Sequence, residues 1–98
     1  MENKIKWSKL VSISKEITGK DVSINLSTEK SIRNFFALAN ISRYKITIYI
    51  NGNKCKSEQE VIKAVAHELA HDTANTTNDS EDHRKEWERL EEVIKSKY

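Results

Sequence analysis

Apolar residues recur along this chain at two different spacings, and each change of spacing marks a new element. From about Lys6 to Thr18, Trp7, Leu10, Val11, Ser14 and Ile17 share one face near the helical period. Gly19 then supplies a C-terminal stop. Val22, Ile24 and Leu26 alternate with Ser23 and Asn25, the two-residue repeat of a half-buried strand. Thr28 to Asn34 fits either a loop or a helical turn. Phe35 to Asn40 is read as a strand because the segment after it offers a pairing partner, although Ile32, Phe35, Phe36 and Ala39 also suit a short helix. That following segment, Tyr44 to Ile50, sends Ile46, Ile48 and Ile50 to one side and Lys45, Thr47 and Tyr49 to the other. Asn51-Gly52-Asn53 closes it with turn chemistry.

The second half changes to the helical period. Ser57 with Glu60 forms a capping-box signature, so a helix begins at Glu58 and runs to about Ala74, with Val61, Ile62, Val65, Ala66 and Leu69 giving a broad apolar surface. Asn75 to Asp79 is a polar loop. Ser80 or Asp79 can cap a last helix that carries Glu81 and Asp82 in its first turn and continues to about Lys97. The order of helix, strands and two helices predicts an α+β domain.

Composition narrows the picture. At 98 residues the chain has room for one small domain, taken as 1–98. A charged fraction of 33% beside a hydrophobic fraction of 37% indicates a globular, soluble chain. A net charge of +2 does not by itself imply nucleic acid, and supports only weak, salt-sensitive contact with a polyanion. One cysteine, Cys55, excludes an intrachain disulfide and a cysteine-rich zinc ribbon. Met1 to Leu10 holds no apolar run, so neither a signal peptide nor a membrane span is expected, and the default location is the cytoplasm.

The chemistry concentrates in His67-Glu68-Leu69-Ala70-His71, inside the first of the two long helices. Residues four apart on a helix lie on one face, one turn apart, so both imidazoles can reach one zinc ion. Glu68 is offset by one position and can take a proton from a water at that metal without binding it. A catalytic zinc usually has three protein ligands, and His83 is a natural third. The stripe His83, Trp87, Leu90, Ile94 has steps of four, three and four, which turns His83 toward the interior. Glu86, Glu91, Asp79 or Asp82 are the alternatives. The competing reading makes the paired histidines surface residues, Glu68 a solvated carboxylate, and His83 a capping or packing residue. Asp72 is weighed as a residue orienting a histidine against a solvated helix position. Trp7 and Trp87 read as core aromatics, Cys55 as incidental. Tyr44, Tyr49 or Arg84 are candidates for stabilising an oxyanion, with nothing to choose between them.

The run Val65-Ala66-His67-Glu68-Leu69-Ala70-His71, followed by Asp82-His83-Arg84-Lys85-Glu86-Trp87, resembles the SprT-like and related small zincin metallopeptidases. The resemblance covers roughly the half from Tyr44 onward. It implies that His67, His71 and His83 ligate Zn2+ and that Glu68 is the catalytic base. It also implies a minimal zincin-like domain: an N-terminal helix, a small three-stranded mixed sheet, an active-site helix and a C-terminal helix. Phe35 to Asn40 would then be the sheet edge above a cleft, where an extended protein or peptide substrate adds as a strand. The size and element order are also similar to minigluzincins, whose third ligand is a glutamate; His83 favours the first family. Larger SprT-like proteins carry a cysteine zinc ribbon or DNA-binding region that this chain lacks. The expected activity is that of a zinc metallopeptidase, an endopeptidase rather than an exopeptidase. A zinc-stabilised binding module and a metal-dependent hydrolase of RNA phosphodiesters are the rivals. The oligomeric state is left open.

Overall fold

A computed structural model describes residues 5–28, 32, 34–74 and 81–98. Six elements follow in order: α1 (Trp7–Thr18), β1 (Asp21–Ser27), β2 (Ala37–Ile41), β3 (Lys45–Asn51), α2 (Glu58–Thr73) and α3 (Glu81–Lys97). The chain is therefore α+β, with a helix before a three-stranded mixed sheet and two helices after it. The expected 75–79 loop and the Asp79 or Ser80 cap lie outside the described residues, as does most of the ambiguous 28–34 segment.

Local signals explain most of the boundaries. Gly19 ends α1 with φ of 69°, a left-handed conformation that an L side chain adopts only with strain, and its N–H reaches the Lys15 carbonyl at 2.8 Å. At the start of α2, Ser57 Oγ accepts from the Glu60 N–H at 3.2 Å. Glu60 Oε1 in turn accepts from the Lys56 N–H and the Ser57 hydroxyl, each at 3.1 Å. This is the reciprocal capping expected from the sequence, shifted by one backbone N–H.

Central strand β3 pairs with β1 in parallel and with β2 antiparallel, giving the order β1-β3-β2. Its alternation is as read from the sequence: Ile46, Ile48 and Ile50 are fully buried, and Tyr49 on the other face is exposed. The buried face packs beneath α2, which contacts both β2 and β3, while α3 docks on α2. Leu10 of α1, Val61, Val65 and Leu69 of α2, and Leu90 and Ile94 of α3 complete the core. The last two residues fasten the three helices together. Tyr98 Oη donates to Glu58 Oε2 and accepts from the Lys6 N–H, both at 2.8 Å, and Lys97 Nζ pairs with Glu16 at 2.6 Å.

Strand β2 begins two residues later than the expected Phe35. The Phe35 N–H turns back to the Ile32 carbonyl at 2.9 Å, which keeps Phe35 in a tight turn rather than in the ladder. No helix among the described residues is long and apolar enough to cross a membrane.

Candidate metal centre and cleft

The geometry of α2 and α3 brings all three histidines together. His67 and His71 stand one turn apart on α2, and His83 lies in the first turn of α3 with 1% of its surface exposed. Burial of Leu90 and Ile94 fixes α3 against α2, so the stripe that contains them points His83 at the α2 histidines. His67 Nε2 and His83 Nε2 are 3.3 Å apart. The rings of His71 and His83 stack at 4.0 Å, and His67 meets both edge-on. One nitrogen from each ring falls within 4.8 Å of the others.

These distances fit a metal. Four ligands around zinc at about 2.0–2.1 Å are separated by about 3.3–3.4 Å, close to the His67–His83 spacing. Three neutral imidazoles are a donor set suited to a first-row divalent ion. Among the described residues, no cysteine or carboxylate joins this group as a fourth donor.

The other candidates go elsewhere. Glu86 is hydrogen-bonded to Arg89, which holds its carboxyl below the usual range. Glu91 pairs with Lys95 at 2.9 Å, and Asp82 is exposed. Asp79 lies outside the described residues. Asp72 pairs with Lys20 at 2.5 Å, tying the end of α2 to the α1–β1 connection. Tyr44 is 73% exposed, Tyr49 lies on the outer face of the sheet, and Arg84 forks between Glu81 and Glu88. None of these three lines the cleft.

That cleft, about 580 Å³, runs between α2 and β2. Its lining includes His67, Glu68 and His71, with Glu60, Lys63 and Ala64 further up α2 and residues 34–38 opposite. Glu68 is 7% exposed, so the carboxylate carrier sits at the floor rather than at the rim. Trp87 is partly buried and flanks the centre, its ring 5.9 Å from that of His67 and its face 5.5 Å from Lys63 Nζ. It is thus a packing residue that also borders the histidine cluster.

Strand β2 also presents unpaired backbone toward the cleft side. The Asn51 N–H donates to the Phe36 carbonyl and the Ser42 N–H to the Lys45 carbonyl, so the even-numbered residues 36 to 42 face β3. The N–H and C=O groups of Ala37, Ala39 and Ile41 accordingly point to the open edge, with no strand beyond them among the described residues.

Sequence reading missed Asn51. It reads as a turn residue, yet it is 1% exposed and fastens the cleft wall. Its Nδ2 donates to the Ile32 carbonyl at 3.1 Å and the Phe35 carbonyl at 2.9 Å, and its Oδ1 accepts from the Asn53 N–H at 2.9 Å. The only available cue was an asparagine at the end of a fully apolar strand face. Cys55 beneath it is fully buried, with Sγ 3.5 Å from the Phe36 carbonyl, and burial followed by the nearby Glu60 charge pushes its thiol up to about 11.

Comparison with known proteins gives one finding. The model of the SprT-like family matches residues 3–98 of the chain. No curated protein and no solved structure matches it.

Proposed function

The chain belongs to the SprT-like family, a zincin-like metallopeptidase type, and from that premise we propose that it is a zinc-dependent metallopeptidase acting on extended polypeptide. The observation that carries this reading is the convergence of three imidazoles beside Glu68 at the floor of a cleft bordered by an open strand edge. His67, His71 and His83 would hold zinc. Bound there, the ion supplies Lewis acidity toward a water and toward the scissile carbonyl.

The remaining steps belong to the chain itself. The outward N–H and C=O groups of Ala37 and Ala39 bind the substrate backbone as an added strand, which aligns it along the cleft with little dependence on side chains. The Glu68 carboxylate accepts a proton from the attacking water and delivers it to the leaving amine, so that one water is consumed and a carboxylate and an amine are released. An internal bond suits the site better than a terminal one. Glu60 is engaged in the α2 cap and Lys63 rests on Trp87, so neither rim charge is offered to a chain end. Three ligands rather than four count against a purely structural zinc. A cytoplasmic setting fits a chain whose one cysteine is a buried thiol.

The test is Glu68→Gln in the zinc-loaded protein, assayed on an unfolded protein and, in parallel, on RNA. The variant should keep its zinc and lose turnover of the protein by about 10²–10⁴-fold. Cleavage at the parental rate would remove Glu68 from its assigned role, and metal-dependent cleavage of RNA alone would replace the peptidase reading.

A further inference from the structure

Lys20 does not line the cleft, yet it ties together the two elements that border it. The left-handed backbone of Gly19 turns the chain out of α1, and the Asp21 N–H donates to the Tyr44 carbonyl at 3.1 Å, so Lys20 is held beside the β2–β3 turn. From there its ammonium reaches both sides. Nζ pairs with Asp72 Oδ1 near the end of α2 at 2.5 Å and donates to the Ser42 carbonyl at 3.1 Å. Ser42 is the first residue after β2 and sits in a turn closed on itself. Its N–H and its hydroxyl donate to the Lys45 carbonyl at 2.8 and 2.9 Å, and its Oγ accepts from the Lys45 N–H at 3.1 Å. A hold on Ser42 is therefore a hold on that whole end of the hairpin. The Lys20 and Asp72 side chains are 23% and 13% exposed, so the pair is screened less than the surface pair of Arg84 and Glu81 on α3.

We infer that Lys20 is a positioning residue: its ammonium clamps the helix that carries His67, Glu68 and His71 at a fixed spacing from the strand edge that receives substrate. The inference rests on the peptidase reading and deepens it. Asn51 fastens residues near the start of β2, and Lys20 fastens the other end, where Asp72 adjoins His71 and Ser42 adjoins Ile41. A peptide added to β2 meets the metal centre at the depth this spacing sets. Misplacing reacting groups by about 1 Å costs about 10²-fold in rate. The three histidines do not depend on the clamp, because they lie on α2 and α3, which Leu90 and Ile94 hold together.

The test uses the zinc-loaded full chain with Lys20→Met, which keeps most of the aliphatic stem and removes the charge, and Lys20→Arg, whose fork can serve both acceptors. Lys20→Met should lower kcat for a peptide by about 10–100-fold, with KM and zinc affinity within about threefold of the parent, and Lys20→Arg should recover most of the loss. Spin labels at Asn40→Cys on β2 and Lys85→Cys on α3, both exposed positions, read the spacing without any reaction, since Cys55 is buried. Lys20→Met should broaden their distance distribution and Lys20→Arg should restore it. An unchanged distribution, or a zinc affinity that falls together with kcat, would overturn the clamp. So would a variant that melts earlier but keeps the parental kcat while folded, which is the behaviour of a merely structural pair. Broadening in a chain whose parent cleaves no peptide would sustain the clamp and defeat the peptidase.

Discussion

Replacing Asn51 by alanine separates the cleft wall from the metal centre. The substitution removes two hydrogen bonds donated by Nδ2 and one accepted by Oδ1. A net hydrogen bond contributes about 0.5–1.5 kcal/mol, and a buried group left without its partner costs about 1–3 kcal/mol. The losses are not equal. The Ile32 carbonyl keeps the Phe35 N–H, and the Asn53 N–H sits in a turn that water reaches. The Phe35 carbonyl is the group most nearly stranded. Together these give a destabilisation of about 2–4 kcal/mol, a large share of the roughly 5–15 kcal/mol typical of a small domain. Urea unfolding of the metal-free protein measures it. Asn51→Asp keeps the outline and the Oδ1 acceptor but sets an oxygen against two carbonyls, so it should be at least as harmful as alanine. Because the histidines sit on α2 and α3, zinc affinity of the folded variant should not change, while KM for peptide rises as the 34–36 wall loosens. A destabilisation below about 0.5 kcal/mol, or an aspartate variant as stable as the parent, would refute the assignment of Asn51 as the anchor of that wall.

Three further outcomes follow from the same structure. Leu90→Ala should cost about 2–5 kcal/mol, and added zinc should recover part of it, since the metal favours the docked α2–α3 pair; no recovery would uncouple docking from ligand placement. With the Cys55 thiol raised to about 11, the folded state keeps a proton that the unfolded chain loses from about pH 9, so stability should fall as pH rises between those values. Cys55→Ala should show a shallower fall over that window, and an identical pH profile would contradict the shift. Ser57→Ala should lower stability by about 0.5–2 kcal/mol in thermal or urea unfolding through loss of the α2 cap, and a neutral result would mean that Glu60 alone satisfies that terminus.

Much of the fold was legible because its signals are local. The 3.6-residue stripe and Gly19 bound α1, Ser57 and Glu60 start α2, and the isoleucine alternation marks β3. The clustering of the histidines was legible for the same reason: the helical period puts His67 and His71 on one face, and the Leu90–Ile94 stripe turns His83 inward. What the pattern could not carry was non-local. The start of β2 is set by the Phe35–Ile32 turn, itself held by Asn51 from another strand, so propensity misplaces it by two residues. The parallel pairing of β1 with β3 leaves no mark on either strand's alternation. Asn51 and the partner of Asp72, Lys20, depend on contacts between residues 16 and 52 positions apart, which periodicity does not report.

The central claim is that His67, His71 and His83 form one metal site, and zinc titration of the parent and of the three single alanine variants tests it most directly. Metal analysis and a competition titration should give one tightly held zinc per parent chain, and each variant should lose it while Glu68→Gln retains it. A His83→Ala protein that binds zinc as tightly as the parent would show that the third imidazole of the cluster is not a ligand, and a parent that binds none would end the account.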